Sequence, residues 1–163
     1  MQMPAKLKNF NIFIDGDTWA GKAAEIELPK LTKQTEDYQG AGMLAPSPVV
    51  LGYEAMELTF TAGGLQESIL KTFRECGSTR LRFAGAYQRD DNCEVAAAEI
   101  VATGKLTELD PGTAKRGDDN EIKITMKLER IEWRVNGSEV LTVDAYDGAA
   151  GPGSNAIAAA IGL

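Results

Sequence analysis

Two pairs of adjacent acids, Asp90-Asp91 and Asp118-Asp119, two cysteines, Cys76 and Cys93, and a complete absence of histidine set what chemistry this chain could do. Without histidine there is no usual general base and no commonest metal ligand, although carboxylate or lysine chemistry stays open. A calcium loop spaces its oxygen ligands alternately, which neither acid pair does, so both read as solvated turns. The cysteines form neither a metal spacing nor a redox pair and read as free thiols in a reducing compartment. Gly63-Gly64 lacks the spacing of either phosphate-binding fingerprint, no Gly-x-Ser-x-Gly elbow occurs, and Arg116-Gly117-Asp118 reads as a turn rather than an adhesion signal. Carboxylate pairs that cleave glycosides are distant in sequence, so a carboxylate-dependent β-sandwich hydrolase stays open as an alternative. No catalytic, cofactor-binding or metal-binding residue is assigned, and the expectation is a protein that is not an enzyme.

Charge says more. The net charge is −7, and most of it lies between Asp90 and Glu121, where nine acids face three bases. Such a segment is a poor phosphate binder, because phosphate contacts need lysine and arginine. It suits a surface that a nucleic acid must pass without sticking. With 163 residues, 44% hydrophobic and 25% charged, the chain fits one globular domain, 1–163. No run of about 18 apolar residues points to a membrane span. The first residues lack the apolar core of a signal peptide, so synthesis in the cytoplasm is expected.

The elements that would position these residues are mainly strands. Met56, Leu58 and Phe60 alternate with polar neighbours, as do Leu81, Phe83 and Tyr87, and then Ile122, Ile124, Met126 and Leu128. The parity reverses at Ile131, Trp133 and Val135, which predicts a bulge or bend near Glu129 or Arg130. Asn136-Gly137 predicts a type I′ hairpin, with 140–145 as the returning strand. One segment has helical spacing: Leu65, Ile69, Phe73 and Cys76 share a face, and Gly77 follows as a stop. A helix of about three turns over 64–76, packed on a sheet, is expected. Residues 108–121 read as a polar loop, and 147–155 as a Gly/Ala-rich flexible linker before a short Asn155-capped tail helix.

Two segments lack side-chain charge. Residues 155–163 are one; the other, 38–52, holds Met43, Leu44, Val49, Val50 and Leu51 among glycines and prolines, and reads as a loop. Either it folds back over its own core, or it meets water only until a partner covers it.

An ordered set of fragments settles on one resemblance: NIFIDG at 11–16, LPKLT at 28–32, YQGAGM at 38–43, LGYEAME at 51–57, RFAGAYQRDD at 82–91, GKLTELDPGTAKRGDDNEIK at 104–123, VNGSEVLTVD at 135–144, and the closing Ile161-Gly162-Leu163. Together they resemble the major tail tube proteins of contractile-tailed bacteriophages, the kind also found in R-type bacteriocins. The resemblance implies a mainly β fold, a β-sandwich or partly closed barrel with one flanking amphipathic helix. It also implies hexameric rings that stack into a virion tail tube for DNA ejection. Implied partners are further copies of the chain, the tail sheath, the tape-measure, baseplate and tail terminator proteins, and genomic DNA in passage, with no membrane and no cofactor. A type VI secretion tube protein is the runner-up. The resemblance makes 38–52 an extended inter-ring loop, with Tyr38, Gly40, Gly42, Met43, Leu44, Pro46, Val49 and Val50 as contacts, and makes Ile161 and Leu163 C-terminal contacts. Glu99, Glu108, Asp118, Asp119 and Glu121 are the candidates to face the lumen.

Overall fold

The structure is a computed structural model that describes residues 3–146 and 159–162. Its body is one antiparallel sheet in the order β2-β1-β7-β8-β9-β6-β3, with β10 also paired to β9. The strands are β1 (Lys6–Ile14), β2 (Asp17–Thr18), β3 (Ala23–Glu27), β6 (Met56–Gly63), β7 (Thr79–Gln88), β8 (Val95–Asp110), β9 (Glu121–Val135) and β10 (Ser138–Asp144). A separate hairpin is built from β4 (Lys33–Tyr38) and β5 (Ser47–Tyr53).

Connectivity forces the sheet to curl. Its first and last members, β2 and β3, are consecutive in sequence, joined by residues 19–22. Five residue steps reach at most about 18 Å. Six strand spacings in a flat sheet would cover about 29 Å. The sheet therefore curls into a half-barrel, the partly closed form the resemblance implied. Trp19 spans the closure: its N–H donates to the Ile12 carbonyl (2.8 Å), its own carbonyl accepts from Lys22 and Ala23, and its ring meets Phe60 edge-on at 6.1 Å.

The core lies on the concave side. Ile12, Leu58, Phe60, Leu81, Phe83, Ile100, Ile122, Ile124, Met126 and Ile131 are fully buried there. Apart from Ile12 of β1 and Ile100 of β8, these are the inward positions of the alternation in β6, β7 and β9, and burying each is worth roughly 1.5–3 kcal/mol before entropy is subtracted. The parity reversal in β9 has the expected cause. Thr103 of β8 faces Arg130, and the next residue, Gly104, faces Leu128, so Glu129 has no partner and forms a bulge. At that point β9 comes so close that a Cβ on Gly104 would sit 2.1 Å from the Lys127 carbonyl oxygen and 2.8 Å from the Leu128 Cα. The bend also divides β9 between two partners, with β6 along Glu121–Leu128 and β10 along Arg130–Val135. The hairpin at Asn136-Gly137 is as expected: both residues have positive φ (50° and 81°), and Val135 pairs with Ser138.

Some expectations need correction. The helix α1 (Glu67–Arg74) has two turns rather than three, and only Ile69 of its anticipated face is buried. Leu65 precedes the helix, Cys76 follows it, and Phe73 stays 41% exposed. The helix ends at Glu75, whose N–H reaches back to the Thr72 carbonyl, before Gly77 is reached. Four residues then suffice to enter β7, whose first residue, Thr79, is buried. The polar loop is shorter than 108–121, because β8 runs through Glu108 to Asp110 and β9 starts at Glu121. The linker 147–155 and Asn155 lie outside the described residues.

Candidate functional site

The uncharged segment 38–52 is not a loop throughout. Its second half is strand β5, which pairs with β4 from Tyr38↔Ser47 to Lys33↔Tyr53. Pro48 stands opposite Asp37 within this ladder. A proline is tolerated there because each strand of a two-stranded arm has one open edge that needs no donor. Gly40–Met43 form the tight turn at the tip, with the Met43 N–H on the Gly40 carbonyl (3.2 Å) and Gly42 at φ 86°. A positive φ at the third residue of such a turn is what glycine supplies. Tyr38 folds over the tip, its hydroxyl 3.0 Å from where a Gly40 Cβ would stand.

The arm buries almost nothing. Leu44 is fully exposed, Tyr38, Met43, Val49, Val50 and Leu51 are exposed, and every residue of β4 is exposed. Isolated two-stranded hairpins are marginal in water. This one is carried by its base, where Glu54 N–H donates to the Thr32 carbonyl (2.8 Å) and Tyr53 packs against the core.

The convex face of the barrel divides into two regions. On the half formed by β3, β6, β9 and β8, the outward residues include Glu25, Glu27, Glu57, Glu108, Asp110 and Glu121, against Lys105, Lys123 and Lys127. The loop 111–120, carrying Asp118 and Asp119, connects Asp110 to Glu121 at one end of this region. Two of the anticipated lumen acids, Glu108 and Glu121, therefore share a face, and Asp118 and Asp119 lie beside it. Glu25, Glu27 and Glu57 belong with them and were missed. The alternation of 56–60 already turned Glu57 outward, but nothing in the sequence announced β3.

Glu99 lies on the other half, formed by β1, β7, β8, β9 and β10. There it accepts from Arg82 Nε at 2.7 Å. Its neighbours are also paired: Glu132, nearly buried, accepts from Arg134 Nε at 2.6 Å and lies 3.7 Å from Arg130, which is 3.8 Å from Asp144. The Glu132 hydrogen bond raises the Arg134 pKa further above its already high value. At the β9 bulge, Glu129 accepts from Ser78 Oγ (2.8 Å), and Lys105 lies 3.5 Å away. The Ser78 hydrogen bond, with help from Lys105 and Tyr146, holds the Glu129 carboxyl below the usual carboxylate range. Of the two C-terminal contact residues, Ile161 is 66% exposed, and Leu163 lies outside the described residues.

A model of the family "Phage tail tube protein FII" matches residues 4–150. The chain belongs to this family. It is 38% identical over 152 residues to the tail tube protein of Escherichia phage P2, covering 90% of this chain and 88% of that one. It is 35% identical over 146 residues to the major tail tube protein of Serratia phage KSP20, covering 88% and 85%. Among solved structures, a chain from the sheath/tube terminator of the extracellular contractile injection system PVC has the same fold at a TM-score of 0.63, with 10% identity over 82% of this chain and 98% of that one. A chain from the PVC sheath-tube complex aligns at 0.57, with 11% identity over 80% and 91%. Tail tube proteins are structural, so the chain is a structural virion component and not an enzyme. That membership sets aside the hydrolase alternative and favours the phage kind over a secretion tube.

Proposed function

We propose that this chain assembles into hexameric rings that stack into the inner tube of a contractile tail, and that DNA leaves the particle through the tube. The observation that carries this reading, beyond family membership, is the arm: an apolar tip held in water by a two-stranded ladder is stable only at low cost if another surface covers it. In the assembled tube, Tyr38, Gly40, Gly42, Met43, Leu44, Pro46, Val49 and Val50 meet the adjoining ring, and Ile161 and Leu163 make C-terminal contacts. The sheath wraps the tube, the tape-measure protein occupies it during assembly, and baseplate and terminator proteins close its two ends. Synthesis takes place in the host cytoplasm.

The acid-rich half of the convex face is the wall that fits DNA passage. An acidic wall repels phosphate, and the repulsion reaches about 8 Å at physiological salt. Glu108, Glu121 and Asp119 supply it together with Glu25 and Glu27, whereas Glu99 is matched by Arg82, Glu57 by Lys127 at 3.5 Å and Asp118 by Lys115 at 3.6 Å. Light scattering and negative-stain electron microscopy of the purified chain, across protein and salt concentration, test the assembly reading. Rings or tubes should form without nucleotide or metal and survive moderate salt. A strict monomer at every concentration contradicts it.

A further inference from the structure

Among the described residues, the methionines fall into two kinds. Met56 and Met126 are buried in the barrel, whereas Met3 and Met43 are exposed. Met3 lies before β1, where its N–H donates to Asp91 Oδ2 at 3.3 Å. Met43 sits at the tip of the arm, and there its sulfur has a structural task.

Met43 closes the turn 40–43 twice. Its N–H donates to the Gly40 carbonyl, and its Sδ accepts from the Gly40 N–H, each at 3.2 Å. Its carbonyl accepts from Gln39 Nε2, also at 3.2 Å. The thioether is thus held against the turn backbone, yet the side chain stays 37% exposed because the arm lies on no other element. Its neighbours in the apolar tip, Leu44, Val49 and Val50, carry no oxidisable atom, so the sensitivity of the tip to oxidants is confined to one sulfur.

A thioether is apolar and a weak acceptor, and oxidation changes both properties. The sulfur attacks one oxygen of a hydroperoxide, and an S–O bond forms as the O–O bond breaks. The proton on the transferred oxygen passes to the departing hydroxide or alkoxide, which leaves as water or an alcohol. Sulfur gives up two electrons, and the peroxide bond takes them. The sulfoxide that results is polar and chiral. Its oxygen, not the sulfur, then takes the Gly40 N–H, which pushes the rest of the side chain outward from the turn.

We propose that the Met43 sulfur is a modification site for hydroperoxides, and that its sulfoxide keeps the arm out of the contact between rings. The inference rests on the arm reading above and deepens it. The free subunit is the form that reacts, since its tip meets water. In the tube the same tip is enclosed and the sulfur is out of reach. A sulfoxide carried into that contact is a polar group that the facing apolar surface leaves unpaired.

The test uses the full wild-type chain. Free subunits are treated with limiting hydrogen peroxide and then with dithiothreitol, which returns sulfenic acids and disulfides of the exposed Cys76 and Cys93 but leaves sulfoxides. After assembly, tubes and unstacked material are separated by sedimentation and peptide-mapped by mass spectrometry. Met43 sulfoxide should be enriched in the unstacked fraction by roughly five- to a hundredfold, the effect of one buried polar group without a partner. Met3 sulfoxide should divide evenly. Circular dichroism melts of treated and untreated subunits should coincide, because Met56 and Met126 are shielded by the core. Met43→Leu, compared with itself, should stack to the same extent with and without peroxide. Met43 sulfoxide shared equally between tubes and unstacked material, or Met43 left unoxidised in free subunits, overturns the inference and leaves the tube reading standing. Peroxide sensitivity that survives Met43→Leu overturns it as well. Absence of any tube from untreated wild type overturns both.

Discussion

The barrel and the arm are built from the same residue types, yet they use them in opposite ways. In the barrel, Leu58, Phe60, Ile124 and Ile131 are fully buried, and their polar neighbours face out. In the arm, Leu44, Val49, Val50 and Leu51 are all exposed, and within the ladder Val49 stands opposite Glu36 and Val50 opposite Thr35. Burial in the barrel is complete within one chain, so its sequence must alternate. On the proposed assembly, burial in the arm awaits another copy of the chain, so its sequence obeys a surface that lies elsewhere. Changes in the barrel should therefore cost folding, and changes in the arm should cost assembly.

The largest effect should come from Gly104→Val. The Cβ position lies inside contact distance of the β9 backbone, and backbone at a bulge between two long strands cannot move aside without breaking the ladder. We expect no cooperative unfolding transition, or one lowered by on the order of several kcal/mol, in circular dichroism melts. A variant that melts like wild type would mean the bulge is not where β8 and β9 meet.

Phe60→Ala should follow, at about 3–5 kcal/mol, from lost transfer energy and the cavity left beside Trp19. Denaturant titration reads this directly. Leu44→Asp marks the other side of the comparison. Its stability should stay within about 0.5 kcal/mol of wild type, as for other exposed sites, while stacking fails because a charge would be buried without a partner. Sedimentation of folded, unstacked material is the expected reading, and misfolding of this variant would place the tip against its own core.

The pH dependence is smaller. The folded Glu129 carboxyl is held below its ordinary range by Ser78, Lys105 and Tyr146. Its stabilisation is therefore fully present above the ordinary carboxylate pKa, about 4.3, and is lost as pH falls through the depressed folded value. Glu129→Gln should melt slightly below wild type at neutral pH, and the gap should close on acidification below pH 4. A gap that persists unchanged into strong acid would mean that the charge is not the stabilising feature. The smallest effect on folding belongs to Glu108→Lys combined with Glu121→Lys. Both side chains are exposed, so tubes should assemble normally and DNA ejection should slow, most visibly at low salt. Wild-type ejection rates at low salt would remove these acids from the lumen.

Legibility in the sequence follows the same division. Strands β6, β7 and β9, the bulge at Glu129 and the Asn136-Gly137 turn were readable because each half-buried strand writes its own period. Strand β8 was not, because its inward positions at 96 and 98 are alanines, which carry little strand signal, and Gly104 sits where β9 leaves no room. Strand β4 was hidden because all six of its residues are exposed, so KQTEDY has no apolar face. The helix was overextended because spacing located an apolar face that the chain only partly buries. Of the candidate contacts, the arm stood out in the sequence through its missing charge.

Cryo-electron microscopy of tubes assembled from the purified chain tests the central claim most directly. The account predicts stacked rings with Met43 and Leu44 of each arm enclosed between one ring and the next. Tubes in which the arm tips stand free in solvent would contradict it.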